Sequence, residues 1–137
     1  MKKLAFLFLI VCMGCGPKPK APVIKVVMTD NGQSVKFTGL DNAIIGEISR
    51  DSSKGLWQGL IPVFRMPADT DLKSYQPVQP GTYRLTDKTI VFTPDTPFVK
   101  GRTYFMRYYH FGGTDNMWDY VRGKTKLGRI SHTDLVF

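Results

Sequence analysis

From residue 23 onward, no stretch keeps apolar residues at i, i+3, i+4 and i+7 over the roughly ten positions a helix needs. Short runs rich in β-branched and aromatic residues take their place, divided by turn residues. This pattern predicts an all-β chain free of helices. The strand candidates are residues 23–28, 34–37, 43–48, 57–64, 82–85, 88–92, 102–111, 117–122 and 129–136. Strands of this number and length suit an antiparallel β-sandwich of about 7–9 strands. Asn31-Gly32 supplies the positive φ of a tight hairpin between the first two runs. Thr86-Asp87 and residues 112–116 supply later turns, and Pro62 marks residues 57–64 as an edge or bulged strand.

With 137 residues, 42% of them hydrophobic, the chain has material for one core and no room for a second domain. The expected division is a leader over residues 1–14, a spacer over 15–22 and one domain over 23–137. Met1-Lys2-Lys3 followed by the apolar run of residues 4–11 has the layout of a secretory signal peptide. That run is shorter than the about 20 residues a membrane span requires. Three prolines and two lysines within residues 16–22 favour an extended spacer. With residues 1–14 removed Cys15 is the one cysteine left, so a core rather than an internal disulfide must hold the domain together.

Gly14-Cys15, directly after the apolar run, resembles the lipobox of bacterial lipoproteins, although Cys12 and Met13 stand where that motif usually has Leu and a small or β-branched residue. The resemblance implies cleavage before Cys15, lipidation of its thiol, and a lipid-anchored position in a bacterial cell envelope, facing the periplasm or the exterior. An ordinary secretory cut after Gly14, leaving Cys15 as a free thiol, is the alternative. The stretch Phe92-Thr93-Pro94, followed by Phe98, Gly101 and Tyr104, is similar to bacterial Ig-like domains, with Phe98 for the usual Leu and Lys100 for the usual Pro. The same spacing occurs in fibronectin type III domains. The resemblance implies an Ig-like sandwich in which Tyr104 is a structural tyrosine corner, its ring buried and its hydroxyl bonded to backbone within residues 93–101.

No nucleophile elbow, metal-ligand spacing or phosphate loop occurs in the chain. His110 and His132 lack neighbouring ligands in sequence, and no metal or cofactor is expected. Asp69, Asp71, Asp115 and Asp119 could act as a hydrolytic carboxylate pair, but solvated loop acids are the simpler account. Nineteen Lys and Arg against eleven Asp and Glu give +8, spread without a basic run of the kind nucleic-acid modules carry, so no nucleic acid is expected. The densest basic stretch is residues 122–129.

Aromatic residues crowd residues 104–120. Strand parity places Tyr104, Met106 and Tyr108 on one face and Phe105, Arg107, Tyr109 and Phe111 on the other. The second set, extended by Trp118, is the candidate interaction surface unless another segment covers it. A non-catalytic, membrane-anchored module that binds an envelope protein or has a structural role is therefore expected. A carbohydrate-binding module is the alternative, with a small hydrolase behind it.

Overall fold

The computed structural model describes residues 16, 23–29, 31–50, 53–110, 119, 122–124 and 130–137. The leader, Cys15, nearly all of the spacer, the 112–116 turn, Phe111 and Trp118 lie outside the described residues, as does most of the expected 117–122 strand.

Seven strands form two antiparallel sheets: β1 (Lys25–Met28), β2 (Val35–Thr38), β3 (Val63–Arg65), β4 (Gly81–Thr86), β5 (Thr89–Pro94), β6 (Tyr104–Tyr109) and β7 (His132–Val136). The first sheet has the order β1-β2-β5-β4 and the second β3-β6-β7. Alternation explains both. In β2 and β5, Val35, Phe37, Ile90 and Phe92 point inward, while Lys36 and Thr93 point to water. The β4–β5 hairpin closes at Asp87 and Lys88, which have φ of 48° and 61° and pair Thr86 with Thr89. Both central residues have positive φ, as a two-residue primed turn requires. Gly32, at φ 64°, turns the chain between β1 and β2.

The chain is not free of helices. Residues 43–48, expected as a strand, fall in helix α1 (Asn42–Arg50), and the first half of residues 57–64 falls in helix α2 (Lys54–Leu60). The physical reason is local. Asp41 Oδ1 accepts the Ala43 backbone N–H at 2.8 Å, capping α1. Ile44, Glu47 and Ile48 then share one buried face at i, i+3 and i+4. Trp57, Leu60 and Ile61 repeat that spacing and are buried with them in the core. Pro62 stops α2, and the strand after it, β3, is an edge of its sheet. A 3-10 helix (Thr70–Tyr75) follows β3, with Asp69 accepting from Asp71 N at 3.0 Å.

The core lies between the sheets. Val35, Phe37, Ile90 and Phe92 from the first meet Val63, Met106 and Tyr108 from the second, and α1 adds Ile44 and Ile48 and α2 adds Trp57 and Leu60 to the same cluster. Trp57 stacks on Tyr83 with ring centroids 5.4 Å apart. The Tyr83 hydroxyl donates to the Ile61 carbonyl at 3.1 Å, and burial raises its pKa far above the usual phenol range. Gly81 is required beneath Phe92, since a Cβ there would meet the ring at 2.4 Å.

Candidate functional site

Strand β6 divides as parity predicts, but neither face is open. Met106 and Tyr108 enter the central core. On the opposite side Phe105, Arg107 and Tyr109 are 0, 7 and 6% exposed. The expectation that these three form an exposed interaction surface is therefore corrected: the fold covers them. Phe105 stacks on Phe64 at 5.1 Å, and Lys73 of the 3-10 helix places its Nζ 4.6 Å from the Phe105 ring centroid. Arg107 donates from Nε and a terminal nitrogen to the two carboxylate oxygens of Asp134 on β7, at 2.8 and 3.1 Å. Lys73 Nζ approaches the same carboxylate at 2.9 Å. The Arg107 guanidinium also lies 5.5 and 5.6 Å from the Phe64 and Phe105 rings.

Burial alone would raise the Asp134 pKa, but hydrogen bonds from Arg107 and Lys73 outweigh it and hold the carboxyl below its usual range. The same hydrogen bond raises Arg107. This is a satisfied ion network that roofs an aromatic pair, with no reactive group left open.

Tyr104 is 4% exposed, and its hydroxyl accepts the Val99 backbone N–H at 2.9 Å, within the 93–101 connection. Phe98 meets Tyr104 edge-on at 4.6 Å, and Phe137 lies 6.2 Å from both Tyr104 and Phe37. Phe98, Tyr104 and Phe137 line a depression of about 590 Å³, as do Lys100 and Arg102. His110 bonds Thr133 through Nε2 at 2.7 Å, while His132 sits beside Tyr109, so the two imidazoles have separate partners. Asp69 is occupied as a cap, and Asp115 lies outside the described residues. Among the described residues, no three His, Cys, Asp or Glu side chains gather as a ligand set.

One open feature that sequence reasoning missed is the outer face of the first sheet. Register lines its side chains into rows across the strands. The middle row runs Val27, Lys36, Val91, Arg84. To one side Ser34 and Thr93 share a 2.7 Å hydroxyl contact, and Thr82 pairs with Thr93. To the other, Lys25 pairs with Thr38 and Thr86 with Thr89. The face forms a shallow trough of about 780 Å³, with Asp87 as the one acid lining it. Its signal was present as alternation: Ser34-Lys36-Thr38, Thr82-Arg84-Thr86 and Thr89-Val91-Thr93 each place a hydroxyl two residues to either side of a central side chain. Only pairing brings the three triplets side by side. No family model matches the chain, and neither a curated protein nor a solved structure does.

Proposed function

We propose that this chain is an exported, lipid-anchored envelope protein whose domain is a non-catalytic binding module, with the outer face of the β1-β2-β5-β4 sheet as its contact surface. The observation that carries the proposal is that uncovered face: cations and hydroxyls in register across four strands, on a sheet whose other side is packed into the core. The Gly14-Cys15 junction after an apolar run supports the anchor. The finer assignment of the two-sheet fold as Ig-like rests on Phe98, Gly101 and Tyr104 and on the Tyr104 to Val99 hydrogen bond. Contact with an envelope protein or with a polysaccharide both suit such a face, and its wealth of hydroxyls and cations favours the polysaccharide.

Mass spectrometry of the protein extracted from membranes tests the anchor. The N-terminal peptide is expected to begin at Cys15 with a thioether-linked diacylglycerol, and Cys15→Ser should abolish that species. A peptide beginning at Cys15 with a free thiol would replace the anchored protein with a soluble exported one.

A further inference from the structure

Resting on the binding-face reading above, we infer that the ligand is an acidic polysaccharide, held with its carboxylates on Lys36 and Arg84 and its hydroxyls on the flanking threonines. Lys36 and Arg84 both pair with Val91, on β2 and β4 either side of β5. Adjacent strands lie about 4.8 Å apart, which separates the two cationic positions by roughly 10 Å across the sheet. That is the span of two linked sugar rings, so a polymer crossing the strands can present successive carboxylates to both. Among the described residues neither cation has a carboxylate partner in the fold. Their charge is left for a ligand.

The flanking rows complete the match. Thr82 and Thr93 on one side, and Thr86, Thr89 and Thr38 on the other, offer hydroxyls that both donate and accept, as sugar hydroxyls do. Among the described residues no aromatic ring lines the trough, so recognition here works through charge and hydrogen bonding instead of ring stacking. A membrane surface fits less well. Val91 at the centre of the face is half-buried, and the exposed Val27 lies on edge strand β1, so the middle of the face offers little apolar surface to a bilayer. Lys25, beside Thr38, adds a cation at the β1 end of a flanking row, while Asp87 at the β4–β5 turn stands at the opposite edge.

The test is calorimetric titration of the full chain, held in non-ionic detergent, with polygalacturonate. Dextran serves as the neutral control, and phosphatidylglycerol mixed into the micelles as the lipid control. Polygalacturonate is expected to bind, dextran not, and phosphatidylglycerol not to displace the polymer. The double variant Lys36→Glu/Arg84→Glu should weaken binding by roughly tenfold or more, and Lys36→Gln/Arg84→Gln by less, with melting temperature held. Affinity should also fall once salt shortens the screening length to about 8 Å. Equal binding of dextran, displacement by phosphatidylglycerol, no binding of polygalacturonate, or unchanged affinity in both double variants would each overturn the inference. Retention of the wild-type chain on delipidated cell envelope separates the two levels of the argument. If the Glu variant loses that retention while polygalacturonate fails to bind, the face stands and the ligand class falls; if the variant is retained as well as wild type, the face itself is wrong.

Discussion

Asp134 shows how much of the second sheet depends on one carboxylate. It accepts from Arg107 twice and from Lys73 once, and its removal would leave a nearly buried guanidinium without its counter-charge. Asp134→Asn is expected to destabilise the domain by about 3 kcal/mol, the usual cost of breaking a buried pair from one side. Replacing both partners, as Arg107→Met/Asp134→Leu, should cost much less, since no charge is then stranded; denaturant melts of the two variants make the comparison. The carboxyl titrates below its unfolded value of about 3.9, so the stability it contributes is complete above that pH. That stability disappears as acid carries the folded group through its lower pKa. The gap in melting temperature between wild type and Asp134→Asn should accordingly close in strong acid. Tyr104→Phe removes the acceptor for Val99 N–H and should cost about 0.5–1.5 kcal/mol by the same melts.

Helix α1 is the element that defeats pattern reading, and the cause lies in its composition. Nine residues with adjacent isoleucines satisfy a strand's preference for β-branching as well as a helix's spacing. What decides between them is Asp41 as a cap and the buried surface waiting for Ile44 and Ile48, the second of which depends on strands far away in sequence. The β1–β2 turn was legible because Gly32 suits positive φ, and Pro62 was legible because it lacks a donor. The β4–β5 turn falls on Asp87-Lys88, one residue past the expected Thr86-Asp87, because nothing in a lysine announces the φ of 61° that Lys88 adopts. Helix α1 also carries Gly46, where an added Cβ meets nothing within 4 Å. Gly46→Ala should therefore stabilise the protein by about 0.5–1 kcal/mol, read as a rise in melting temperature.

Across the whole molecule, the sequence makes the two-sheet class readable while hiding which faces end up covered. Parity sorted the side chains of β6 correctly, yet it cannot tell that Lys73 and Asp134 come from other segments to close over Phe105. The trough on the first sheet was hidden for the opposite reason: its threonines are unremarkable until β2, β5 and β4 lie side by side. Strand β1 adds a mechanical consequence. It is a four-residue edge strand, the proposed tether precedes it in sequence, and the trough spans its neighbours. Were Cys15 anchored and the trough occupied as proposed, a pull directed along β1 would enter through Lys25 and load the β1–β2 hydrogen bonds in shear so that they resist together, where a sideways pull would part them one by one.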